Sequence, residues 1–150
     1  MKYKELKTIF WTVSDPQAGM SCCDPFAIAK LLIDRIGDDE REHFIVYMLD
    51  LKNKIKSSYV VSIGTISECM VHPREVFRAA IACGVSSIAV AHNHPSGTVS
   101  ASKEDIATTK LLIDAGKLLG IPCLDHVVVG TAGSFYSMRE HQAECHLNFQ

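Results

Sequence analysis

Apolar residues along this chain alternate between helical and strand spacing, and the changes of period mark out its elements. Residues 8–13 (TIFWTV) predict a short strand or arm, and 15–23 are rich in turn formers. Asp24 and Pro25 then open a helix, with Asp as N-cap and Pro at the first helical position. Ala29, Leu31, Leu32 and Ile36 give that helix an apolar face, and Gly37 is its expected stop. Residues 43–51 and 55–63 read as two strands joined by a turn at 52–54. Gly64 breaks the second strand, and 65–70 are expected to extend it beyond a bulge. Pro73 begins a helix running to Cys83, with Val76, Phe77, Ala80 and Ile81 on one side. Residues 86–91 (SSIAVA) are almost wholly apolar, the pattern of a strand covered on both faces. Residues 102–119 predict the longest helix, its core face drawn from Ile106, Leu111, Ile113 and Leu118, with Gly120 at the C′ position and Pro122 beyond. Residues 124–129 and 134–138 are further strands, linked by a Gly-rich turn at 130–133, and the polar tail after Arg139 is expected to be ragged. Strands alternating with helices place the chain in the α/β or α+β class, with a mixed sheet covered by helices.

Composition narrows this picture. The 150 residues suffice for one domain with a real core. No apolar run approaches the length that spans a membrane, and residues 1–7 lead into no apolar h-region, so a cytoplasmic protein without membrane contact is expected. The formal charge of −2 argues against unaided binding to a phosphate backbone. The densest basic run, Lys52, Lys54 and Lys56, flanks a turn and reads as a solvated face. The six cysteines form no C-x-x-C pair, and even the adjacent Cys22 and Cys23 read as reduced thiols.

The candidate chemistry lies between 92 and 105, in the string HNHPSGTVSASKED. Residues two apart on an extended backbone point the same way, so His92 and His94 can converge on one point as they leave a buried strand. Asp105 falls in the first turn of the following helix, which can fold back over the strand end. Two imidazoles and a carboxylate form a ligand set for one divalent metal and leave a fourth position for water. Each residue also has a plainer reading. The histidines can be a pair of surface loop residues, and Ser102-Lys103-Glu104-Asp105 resembles a capping box that engages the carboxylate with the backbone.

The whole string resembles the signature of the JAMM (MPN-plus) metallopeptidases, His-x-His-Pro followed by Ser-x-x-Asp, at His92, His94, Pro95, Ser102 and Asp105. The stretches His72-Pro73-Arg74-Glu75-Val76-Phe77, Ala91 to Gly97, Gly120-Ile121 and Leu124-Asp125-His126 are similar to the RadC-like branch. The resemblance covers residues 38–138, leaving an N-terminal arm and helix at 1–37 and a polar tail at 139–150. It implies an α/β fold, a single cytidine-deaminase-like MPN (JAB) domain whose mixed sheet is flanked by helices. It also implies Zn2+ held by His92, His94 and Asp105, with water completing the shell. In that family a glutamate ahead of an earlier strand is the general acid/base, and Glu42 occupies the matching place; Glu75, on the intervening helix, is its competitor. Ser102 would stand near the oxyanion. The implied reaction is hydrolysis of a peptide or isopeptide bond in a protein or peptide substrate. Asp125 and His126 match the RadC-like branch, either as support for a metal ligand or as a structural pair; the structural reading is preferred.

A second reading treats the chain as a DNA repair or DNA-transaction accessory, or an interaction module, because RadC-like proteins carry that label. Longer members resemble a fusion with an N-terminal helix-hairpin-helix region, which the fewer than forty residues ahead of this domain are not expected to supply. Nucleobase deaminases are disfavoured, since Asn93-His94 stands where their x-Glu belongs and His126 where their second Cys belongs.

Overall fold

The computed structural model describes residues 17–22, 24–36, 39–64 and 71–149. The expected arm at 8–13, the helix stop at Gly37 and the strand extension at 65–70 lie outside them. The elements run α1 (Pro25–Ile36), β1 (Glu42–Leu49), β2 (Ile55–Gly64), α2 (Pro73–Cys83), β3 (Ser87–Asn93), α3 (Lys103–Leu119), β4 (Cys123–Val129), a 3-10 turn (Thr131–Gly133) and β5 (Phe135–Ser137). The strands form one sheet in the order β2-β1-β3-β4-β5. β1 is antiparallel to both β2 and β3, β3 and β4 are parallel, and β4 and β5 are antiparallel. The parallel pair is the one joined through α3, as a crossover connection requires.

Side-chain alternation divides the central strands between two apolar layers. Ile45, Tyr47, Leu49, Ala89, Ala91, Val127 and Val129 meet Ile28, Ala29, Leu31 and Leu32 of α1. Phe44, Val46, Met48, Val90 and Val128 meet Val76, Phe77 and Ala80 of α2 and Leu112 and Ile113 of α3. The result is an α/β domain with helices on both faces of a mixed sheet.

Three expectations need correction. Leu111, Leu118 and Ile81 are 54%, 87% and 57% exposed, so they do not face the core. The buried stripe of α3 is instead Asp105, Thr109, Leu112, Ile113 and Gly116. Gly116 allows the approach: a Cβ there would lie 2.6 Å from the carbonyl oxygen of Ile121 and 3.3 Å from the backbone nitrogen of Cys123. The tail is not ragged either. It turns back after Met138 and inserts Cys145, Leu147 and Phe149 into the layer beneath α2 and α3.

Candidate metal centre

β3 runs two residues further than its apolar pattern suggested, and this places His92 inside the sheet. It pairs with Phe44 on one side and Val128 on the other, and it is fully buried. The surface-loop reading is therefore overturned for His92. His94 is the first residue past the strand, yet its backbone N–H still donates to the Val129 carbonyl at 2.8 Å. The period-two geometry holds through Asn93, so both rings turn to the side where α3 begins.

The two Nε2 atoms lie 2.9 Å apart. Asp105 reaches both, with Oδ1 3.1 Å from His92 Nε2 and Oδ2 3.4 Å from His94 Nε2. Glu42, the first residue of β1, supplies a carboxylate oxygen that lies with one ligand nitrogen of each imidazole in a group spanning at most 4.8 Å. Zinc ligands at about 2.0–2.1 Å in tetrahedral array stand about 3.3 Å apart. The separations among His92, His94 and Asp105 bracket that value, so the donor set fits such an ion in both chemistry and spacing.

The capping box and the carboxylate cluster coexist. The backbone N–H of Ser102 donates to Asp105 Oδ2 at 2.8 Å, and that of Asp105 donates to Ser102 Oγ at 3.0 Å. The cap thus draws on Oδ2, while Oδ1 faces His92. Capping orients the carboxylate and does not remove it from the site. Burial opposes the charge on Asp105, but close contact with the imidazoles of His92 and His94 outweighs it and holds the carboxyl well below the usual carboxylate range. The same contact raises His94 above the ordinary imidazole value, against burial, with help from its bond to the Thr98 carbonyl.

Two further residues assemble the centre. Asn93 accepts from the backbone N–H of His43 at 2.7 Å and donates to the Arg41 carbonyl at 3.0 Å, so it clamps β1 on both sides of Glu42. His126, on β4, lies 2.7 Å from His92 Nδ1 through its own Nε2, and its Nδ1 lies 2.6 Å from the hydroxyl of Thr109. Burial pushes the His126 imidazole well below its ordinary value, and repulsion from His92 adds to this. The adjacent Asp125 belongs elsewhere, accepting from the Ser137 hydroxyl and from the backbone N–H groups of His126 and Arg139. The structure therefore splits the pair: Asp125 is structural, and His126 meets the site. Glu75 is on α2, paired with Arg74 and Arg78.

A cleft of about 460 Å3 opens over the cluster, lined by Glu42, His94, Thr98, Ser100 and Ser102. A second, of about 750 Å3, shares His94 and Pro95 with it and extends over Ile33, Ile36 and Val129. Among the described residues no helix is long and apolar enough to cross a membrane.

A helix-flanked mixed sheet with imidazoles and carboxylates gathered at the exit of a central strand defines an α/β domain with a candidate metal site. Residues 22–143 match the RadC-like JAB domain family, and the chain belongs to that family. It is similar to a UPF0758 protein of Rubrobacter xylanophilus, 45% identical over 117 residues, which are 78% of this chain and 51% of the relative. A UPF0758 protein of Caldanaerobacter subterraneus is 46% identical over 120 residues, 80% and 51% of the two chains. One of Methanosarcina acetivorans is 43% identical over 118 residues, 79% and 51%. The chain thus spans about half the length of the curated relatives it matches.

Proposed function

We propose that this domain is a zinc-dependent hydrolase of the JAMM type that cleaves a peptide or isopeptide bond. The observation that carries the reading is the convergence of His92, His94 and Asp105 within 3.4 Å of one another, beside a cleft lined by Glu42, His94 and Ser102. His92, His94 and Asp105 would hold the ion. When bound, such an ion polarises a carbonyl and lowers the pKa of a water from about 15.7 towards about 7.

The remaining steps fall to side chains of the protein. Glu42 faces the same point as the two imidazoles and takes the proton of the attacking water; it then returns that proton to the leaving amine. Asn93 keeps Glu42 in place by pinning its two neighbours. Ser102 accepts the Asp105 N–H within the cap, and its own hydrogen remains to donate to the oxyanion, a contribution worth roughly a hundredfold in rate. The two clefts that meet at His94 and Pro95 suit an extended peptide laid across the centre. Its partner on this reading is a protein or peptide, not DNA, in keeping with the net charge of −2.

Elemental analysis of the purified protein tests the reading first, with about one zinc per chain expected and none in His92→Ala or Asp105→Ala. A peptide library read by mass spectrometry tests the chemistry: Glu42→Gln should keep its zinc and lose cleavage. A wild-type chain that takes up no zinc would remove the hydrolase reading, and an active Glu42→Gln variant would move the base elsewhere.

A further inference from the structure

Resting on the metal reading above, we infer that Thr109 and His126 are positioning residues that decide which nitrogen of His92 faces the ion. The carbonyl of Asp105, the hydroxyl of Thr109, the ring of His126 and the ring of His92 form one hydrogen-bonded chain. Its links are 2.6, 2.6 and 2.7 Å. His92 Nε2 then stands 3.1 Å from the carboxylate of Asp105, so the chain of contacts begins and ends on one residue. Thr109, His126 and His92 are each fully buried, and no bulk water can substitute for a missing partner.

The polarity of this chain follows from its far end. Two oxygens 2.6 Å apart need a hydrogen between them, and a carbonyl has none to give. The Thr109 hydroxyl therefore donates to Asp105, its neighbour one helical turn back. Its other close contact, the Met138 sulfur at 3.1 Å, can only accept. The hydroxyl is left with lone pairs, and His126 is the neighbour able to fill one, from Nδ1–H. A neutral His126 with its proton on Nδ1 has a bare Nε2, which accepts from His92 Nδ1–H. His92 is then a tautomer whose Nε2 carries a lone pair, aimed at the point shared with His94 and Asp105.

Ring orientation is fixed by the same group of residues. Phe44 stacks on His92 with centroids 5.9 Å apart and planes 11° from parallel, and it meets His126 edge-on at 5.3 Å. Rotation of the His92 ring would break the chain and the stack together, and rotation of the His126 ring would break the chain and its edge contact. The opposite polarity, with the Thr109 hydroxyl donating to His126, would put a proton on His92 Nε2 and close that position to a metal.

The experiment uses the full chain and zinc alone. Long-range 15N–1H spectra of the zinc-loaded wild type should show His126 protonated at Nδ1 and His92 protonated at Nδ1 with a metal-shifted Nε2. Thr109→Val keeps the shape and removes the hydroxyl, and zinc affinity, measured against a chromophoric chelator, is expected to fall about 10–100-fold. Thr109→Ser should restore it, and circular dichroism confirms that both variants are folded. A wild type that binds zinc with His126 protonated at Nε2 would overturn the inference while leaving the hydrolase reading intact. So would a folded Thr109→Val with wild-type zinc affinity. A wild type that binds no zinc would sink both. The 15N spectra need no variant, so they decide the matter even if Thr109→Val does not fold.

Discussion

Asp105 has two jobs that sequence alone sets against each other, and the two oxygens of one carboxylate reconcile them. One oxygen closes the cap of α3 and the other faces His92. Its negative charge also has a consequence for pH. A proton and a metal ion compete for His94 Nε2, and the hydrogen bond it donates to Asp105 raises the imidazole above its ordinary value of 6.5. Zinc affinity is therefore expected to climb as pH rises past 6.5 and to level off only beyond the raised value. Chelator competition across a pH series checks this; an affinity already flat through the neutral range would show that no such proton is displaced. His92, His94, Ser102 and Asp105 were legible because they lie within fourteen consecutive residues, 92–105, and local backbone geometry nearly suffices to join them. Glu42 needed the family resemblance, being fifty residues upstream of His92. Thr109 belongs to no motif in the sequence, and for His126 the sequence allows support of a metal ligand but favours a structural pair with Asp125, since the meeting of Thr109 and His126 depends on how α3 lies across β4. One local signal was available: Thr109 is four residues after Asp105, one turn along the same face.

At the scale of elements, the described strands follow from the alternation of apolar residues, and the inward face of α3 does not. The helix carries apolar residues all round, so periodicity picks no single stripe, and two of the leucines chosen for the core are exposed. What fixes its rotation is close approach. Gly116 lets α3 settle against the start of β4, and the polar stripe of Asp105 and Thr109 is carried inward to the site. Gly116→Ala tests this directly. On helix propensity alone the change should stabilise by about 1 kcal/mol. The contact of 2.6 Å with a backbone oxygen predicts the reverse, a loss of about 1–3 kcal/mol with a lower melting temperature, because backbone cannot yield as a flexible side chain would. Thermal unfolding followed by circular dichroism gives the sign. A stabilised variant would mean that α3 is held by something other than this contact.

The whole molecule is a sheet between α1 on one face and α2 with α3 on the other, and the C-terminal segment completes the second layer. Phe149 is 8% exposed and packs with the cluster beneath α2 and α3. Phe149→Ala is expected to cost about 3 kcal/mol, measured by denaturant titration, where a ragged tail would give no change. The tail looked polar because its three inward residues, Cys145, Leu147 and Phe149, are spread among Glu144, His146, Asn148 and other polar neighbours. By itself the sequence determined a mixed α and β architecture, the order of its elements and a set of candidate ligand residues close together at 92–105, since these depend on short-range periodicity and capping. Tertiary structure decided which face of α3 turns inward, that Asp105 can cap and face the imidazoles at once, and that His126 rather than Asp125 meets His92. Those outcomes depend on the register of β3 against β4 and the distance at which a helix settles on a sheet, which arise only when distant segments pack.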